Sequence, residues 1–432
     1  MLAGAKRVLA PISAEMRQHG CARTQLRPVC DPAATSGCDG AGMSTPRIER
    51  FLARNRLETP FVVLDLDVVA IRYHQLRDAL PGAHIHYAVK ANPAIEILRL
   101  LVDLGSSFDV ASPAEIDLCL EAGADPSTIS YGNTVKKERD IAYAFRRGVR
   151  LFAFDSAEEL AKIVRAAPGS TVCCRLPSDG GGADWPLSRK FGCDPAMATD
   201  LLLAANRQGL EVGLSFHVGS QQRDPQAWDR YLDVAASIFA TLRKAGVEPA
   251  VLNIGGGFPG LYREGAPGVA AYGDAIRRSL RRFGSRLPRI IAEPGRYLVA
   301  GAGVLQSEVV LVARKSEADE RRWVYLDVGM FGGLAETMGE SIRYRIRTPH
   351  DGAPTGPVAI AGPTCDSADV LYERSGYELP LALRAGDRVE LLSTGAYTTT
   401  YSSVAFNGFA PLRSYCLPSA AAGLREPDHA AA

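Results

Sequence analysis

Lys90 stands at the end of the apolar run HIHYAV, where its side chain would face a protein interior. Burying an unpaired ammonium is costly, so the residue needs a partner or a reaction. Asp109 could be the partner. A Schiff base to a carbonyl cofactor could be the reaction, since it consumes the amine. A second apolar run ends in Ile254-Gly255-Gly256-Gly257-Phe258-Pro259-Gly260. Its glycines let backbone N–H groups approach an anion, although a tight turn would use the same residues. The next run ends in Glu293-Pro294-Gly295-Arg296, which adds an arginine beside the glycines. Together they point to a phosphate site. His217, in SFHVGS, could stack on an aromatic cofactor or sit as a hydrogen-bonded core histidine. Ser220, three residues on, can donate to a phosphate. Glu293 has the sharpest chemistry. A carboxylate beside the ring nitrogen of pyridoxal phosphate keeps that nitrogen protonated. The ring then stabilises a carbanion at Cα, which favours decarboxylation over racemisation.

These residues need a scaffold that gathers strand ends. Short β-rich segments begin near His84, Ser106, Thr128, Leu151, Thr171, Glu211, Ala250 and Arg289. Helical patterns such as PAEIDLCLEAG, SAEELAKIVRAA and WDRYLDVAASIFATLRKAG separate them. SAEE after LFAFD reads as a helix start, with a serine cap and a carboxylate three residues later. Eight strands alternating with helices predict a (β/α)₈ barrel, whose chemistry sits at the carboxyl ends of its strands. A doubly wound sheet would want a G-x-G-x-x-G after the first strand, and none is there. The strand ends read Lys90, Asp109, Asn133, Asp155, Arg175, His217, the glycines 255–257, and Glu293 with Arg296. A face serving stability alone would carry small and apolar residues.

After about residue 297 the helical periods nearly vanish. VLQSEVVLVARKS, RRWVYLDVG, GPVAIAGPTC, DRVELLSTG and PLRSYCL read as strands. TPFVVLDLD, before the barrel, has no place among the eight. The expected organisation is a barrel over 67–297 inserted into an all-β domain made of 43–66 and 298–420. Residues 1–42 read as a disordered leader, with a transit peptide as the sharper alternative, and 421–432 as a disordered tail.

The chain has 432 residues and a formal net charge of +1, so no global field draws it to nucleic acid or an anionic membrane. No apolar run approaches the roughly 18 residues of a membrane span. The nine cysteines lack metal-ligand spacing, and no metal is expected. A reduced, cytoplasmic protein is the simplest expectation.

The motifs YAVKAN, FDVAS, SFHVGSQ, NIGGGFPG, AEPGRY, GPTCDSAD and GAYTTTY occur in that order between about Thr59 and Pro418. This resembles the ornithine/diaminopimelate/arginine decarboxylase family of fold-type III pyridoxal-phosphate enzymes, built as a barrel plus a β domain like alanine racemase. The resemblance implies Lys90 as the Schiff-base lysine and His217 stacked on the ring. It implies Ser220, Gly257, Arg296 and Tyr397 as phosphate ligands, with Gly255, Gly256, Pro294 and Gly295 in the cofactor loops. Glu293 would be the ring-nitrogen partner, and Asp109 and Arg175 would line the site. Cys365 would reprotonate Cα. In this family Cys365 and Asp366 come from the partner subunit, so a head-to-tail homodimer with shared sites is implied.

Cys365-Asp366 resembles ornithine decarboxylases, whereas diaminopimelate enzymes tend to carry Cys-Glu. An aspartate there can pair with a distal ammonium. Counting from Tyr325 puts Glu340 where ornithine enzymes have a second substrate acid, with Gly339 in place of a tyrosine. The expected reaction is L-ornithine to putrescine, with L-lysine to cadaverine second, in polyamine biosynthesis. The rivals are a diaminopimelate decarboxylase, a silent regulator like the antizyme inhibitors, and a racemase.

Overall fold

The computed structural model describes residues 44–185 and 190–420. The expected leader and tail lie outside the described residues. The strands run in chain order as β1 (Phe61–Asp65), β2 (His84–Ala88), β3 (Ser107–Val110), β4 (Ile129–Tyr131), β5 (Leu151–Phe154) and β6 (Thr171–Arg175). There follow β7 (Ala183–Trp185), β8 (Glu211–Ser215), β9 (Ser220–Gln222), β10 (Val251–Asn253) and β11 (Arg289–Ala292). Eight of these close into a barrel in the order β10-β11-β2-β3-β4-β5-β6-β8, as the alternating pattern predicts. Neighbours in the barrel are parallel throughout. Strands such as ISY, LFAF and VLN are buried at every position. That suits a strand covered by side chains inside the barrel and by helices outside. β7 and β9 were not foreseen; they pair antiparallel at the barrel mouth.

The helices between the strands begin where the serines indicate. Ser112 Oγ accepts the Glu115 N–H at 3.3 Å, and Ser156 Oγ accepts that of Glu159 at 3.2 Å. Each satisfies one of the N–H groups that an isolated helix start leaves unpaired. The Glu159 carboxylate does not reach back to close a capping box. It instead holds Lys136, whose fully buried amine also donates to the carbonyls of Asn133 and Ala153.

The C-terminal strands are β12 (Gly303–Ala313), β13 (Arg322–Leu326), β14 (Ile346–Arg347), β15 (Thr355–Ala361), β16 (Val370–Pro380), β17 (Arg388–Leu392) and β18 (Arg413–Leu417). They form the path β14-β17-β12-β13-β15-β16, and β1 joins them between β12 and β18. The strand left over from the barrel count thus belongs to this sheet. β16 is the main element the sequence did not reveal. Its central ERSG breaks the apolar pattern, and pairing with β15 supplies the order instead.

Barrel and sheet share one continuous apolar core, from Tyr87 and Phe152 to Leu305 and Leu391. Backbone and side-chain hydrogen bonds fasten the sheet's loop 393–397 over the barrel mouth. Tyr397 N donates to Ala91 O (2.8 Å), Asn92 Nδ2 to Gly395 O (2.8 Å), and Ser393 Oγ to Leu261 O (2.7 Å). The loop that follows β17 is thereby brought to the end of β2.

Candidate active site

A cavity of about 330 Å³ opens at the carboxyl ends of the barrel strands. Ten of the residues singled out above line it: Lys90, Asp109, Arg175, His217, Ser220, Gly257, Glu293, Gly295, Arg296 and Tyr397. Asn133 of the strand-end series lines it too. The Lys90 side chain is accessible, yet its open surface faces the cavity and protein encloses it all round. Burial opposes the charge on this amine. Tyr397, Asp109 and Glu293 prevail over burial and over Arg175, and raise its pKa. Asp109 is held well above the usual carboxylate range by burial and by Glu293, against the pull of Lys90. Its Oδ1 accepts from Ser130 Oγ at 3.2 Å. Burial, with the charges of Arg175 and Lys90, pushes His217 well below its ordinary pKa, so its ring is neutral. His217 Nδ1 accepts the Gly219 N–H at 3.0 Å, which leaves the proton on Nε2.

Glu293 does not stand alone. Asn253 Nδ2 donates to its Oε1, while Asn253 Oδ1 accepts the Gly255 N–H at 2.9 Å. One amide thus aims the carboxylate and shapes the glycine loop. Asn253 is a functional residue that sequence reasoning passed over. Its signal was present, as a polar residue ending an apolar strand just before the glycines. Gly255 has φ +68°, and a Cβ there would lie 2.1 Å from Phe216 O. A Cβ on Gly256 would lie 3.1 Å from His217 Nε2 and 2.4 Å from Glu293 O. Both positions therefore require glycine for close backbone approach. Neither lines the cavity, and they act by shaping its wall.

At the other end, Arg296 is buried with a full set of partners. Nε and Nη2 face Ser220 Oγ at 3.3 and 3.0 Å, and Nη1 donates to Tyr262 at 2.8 Å. Its guanidinium lies 4.8 Å from the Tyr397 ring centre. Glu336 takes the remaining two N–H groups at 2.6 and 2.5 Å. Pro294 acts through its backbone, its carbonyl accepting the Ala88 N–H at 3.0 Å. Asp155 turns to the rim, where Oδ2 accepts the Gly192 N–H at 2.8 Å. Arg175 lies 4.8 Å from the Phe191 ring centre.

The three residues expected to act on the substrate or at Cα are not brought to this cavity. Glu340 has its Oε1 on the backbone N–H groups of Glu373 (2.9 Å) and Arg374 (2.8 Å). Burial raises its pKa, but those hydrogen bonds outweigh burial and lower it. The substrate contact expected of Glu340 is therefore corrected: the acid serves β16, and Glu336, one turn earlier, faces the cavity. Counting along the chain could not tell them apart, because the intervening turn reverses at Met338 and Gly339. Cys365 and Asp366 are exposed, away from the cavity of their own chain. Asn407 Oδ1 accepts the Cys365 N–H at 2.9 Å, and Asp366 Oδ1 accepts that of Ala368 at 2.9 Å.

The donor set fits pyridoxal phosphate. An amine, an oriented carboxylate, a neutral flat imidazole and a hydroxyl–guanidinium end lie along one cavity. Comparison with known proteins agrees. Residues 66–300 match the pyridoxal-binding domain of the pyridoxal-dependent decarboxylases. The chain is 37% identical to the lysine/ornithine decarboxylase of Selenomonas ruminantium, over 82% of this chain and 88% of that one. It is 32% identical to antizyme inhibitor 2 of Xenopus laevis, over 86% and 87% of the two chains. The solved structure of a lysine/ornithine decarboxylase from Vibrio vulnificus with cadaverine superposes with a TM-score of 0.78 at 30% identity. It covers 87% of this chain and all of that one (100%).

Proposed function

Because the chain belongs to the family of pyridoxal-dependent decarboxylases, we propose that it removes the α-carboxylate of a basic L-amino acid. L-ornithine, giving putrescine, is the first substrate, and L-lysine, giving cadaverine, the second. The carrying observation is that Lys90, Glu293 and Arg296 line one cavity at the carboxyl ends of the barrel strands.

Pyridoxal phosphate, when bound, supplies the electron sink that accepts charge at Cα as carbon dioxide leaves. The chain supplies the rest. Lys90 Nζ anchors the cofactor covalently, and Ser220, Gly257, Arg296 and Tyr397 hold its phosphate. Glu293, aimed by Asn253, keeps a proton on the ring nitrogen. His217 covers one face, and its neutrality avoids placing a second cation against that nitrogen. Asp109 and Arg175 flank the amine. Cys365 returns a proton to Cα, and Asp366 binds the distal ammonium. Since both are exposed on their own chain, they would serve the cavity of a second copy, in a homodimer with shared sites. The division into a barrel over 67–297 and a β domain of 43–66 and 298–420 belongs to this reading. So does a cytoplasmic location.

The likeness to an antizyme inhibitor gives a regulatory reading some ground. The intact set around Lys90 favours the enzyme. The deciding measurement is carbon dioxide release from L-ornithine, L-lysine, meso-diaminopimelate, L-arginine and their D forms. Fastest release from L-ornithine is expected. Release from none of them would sink the catalytic reading, and preference for diaminopimelate would replace the substrate.

A further inference from the structure

Glu336 is 3% exposed and has no role in the reading above. It lies on the short helical turn Ala335–Glu340 that follows β13. Its two oxygens meet Nη1 and Nη2 of Arg296 side by side, at 2.6 and 2.5 Å. A guanidinium has three edges, and this fork occupies one of them. The outer Nη1 hydrogen goes to Tyr262. What remains is the Nε–Nη2 edge, which faces Ser220 Oγ. Arg296 and Ser220 thus meet along one edge of the guanidinium, and Glu336 fixes it along the adjoining edge, with Nη2 common to both.

We infer that Glu336 is a positioning residue for Arg296, holding one fork of the guanidinium so that the Nε–Nη2 edge beside Ser220 meets the cofactor phosphate. The inference rests on the proposed role of Arg296 as a phosphate ligand. A buried arginine with five donors and a long side chain can adopt several poses, and a planar two-point contact removes most of them. The carboxylate also acts in the opposite sense, because its charge opposes that of an incoming phosphate. Orientation and charge can be separated by choice of variant.

Glu336→Asp keeps the charge but is one methylene shorter, so it cannot span both nitrogens from the same backbone position. Glu336→Gln keeps the length and one acceptor but loses the charge. The full-length protein is freed of cofactor with hydroxylamine and titrated with pyridoxal phosphate and, separately, with pyridoxal. Binding is read from the visible absorption of the bound cofactor, and folding from thermal melting. Pyridoxal lacks the phosphate, so the ratio of the two affinities isolates the phosphate site. For Glu336→Asp the affinity for pyridoxal phosphate falls by about tenfold or more, as for loss of a charged hydrogen bond, and that for pyridoxal holds. Glu336→Gln lowers the ratio as well, and decides the matter if the aspartate variant does not fold. A ratio that stays at the wild-type value, or rises, overturns the inference. Arg296→Met separates the two levels. If it leaves the ratio unchanged, the phosphate reading of Arg296 fails. If it lowers the ratio and the Glu336 variants do not, only the positioning inference fails.

Discussion

In the proposed reaction Lys90 and Cys365 would divide the chemistry between a residue inside the cavity and one outside it. Lys90 is ringed by Tyr397, Asp109 and Glu293, which favour a cation at its nitrogen. The same neighbours would favour a positive charge at that nitrogen if it held the cofactor. The purified protein is expected to be yellow, and borohydride reduction to fix the cofactor on the Lys90 peptide. An unmodified peptide mass would remove Lys90 from the role. Cys365→Ala is expected to retain the cofactor while slowing turnover by about a hundredfold, or diverting it to transamination, because Cα loses its acid. Unchanged turnover and product would exclude the thiol. The neighbouring Asp366→Ala should raise KM for diamino acids by roughly tenfold or more, through loss of a charge-assisted hydrogen bond.

Among the elements, β2 carries a cost as well as a function. His86 sits on this strand, 6% exposed. Burial, with lesser effects from the charges of Arg289 and His84, lowers its pKa to about 3. The unfolded chain would protonate it near pH 6.5. Between those values the unfolded state binds a proton that the folded state refuses. Its contribution is therefore intact above pH 6.5 and is lost as pH falls toward 3. The slope is at most about 1.4 kcal/mol per pH unit. His86→Gln is expected to flatten the fall in melting temperature between pH 6.5 and 4.5. If variant and wild type lose stability in parallel, the histidine is not the source. Two of the missed elements, β16 and the β7–β9 pair, share a cause. Their residues do not alternate cleanly, and their order comes from pairing, of β16 with the preceding β15 and of β7 with β9.

For the whole molecule, the placement of β1 matters most. A strand near the start pairs with β12 and β18, so the sheet cannot be completed without both sides of the barrel insertion. The loop after β17 then brings Tyr397 to the barrel mouth. If two chains share their sites, mixing Lys90→Ala with Cys365→Ala should restore activity that neither has alone. Half of the dimers would be mixed, and half of their sites intact, giving about a quarter of wild-type turnover. No recovery after subunit exchange would argue that each chain works alone.

The sequence by itself determined the barrel, its strand ends and most of the groups at them. Strand burial, helix caps and glycine runs are local properties, and a closed barrel converts strand order directly into neighbours around one mouth. That is why Lys90, Glu293 and Arg296 were legible as a set. Tertiary structure alone decided which acid of the 332–340 segment reaches the cavity. Glu336 and Glu340 have the same chemistry and lie four residues apart. A left-handed turn at Gly339 and the backbone of β16 send Glu340 elsewhere. The pairing of Glu336 with Arg296 spans 40 residues and two parts of the fold, and no local pattern encodes it.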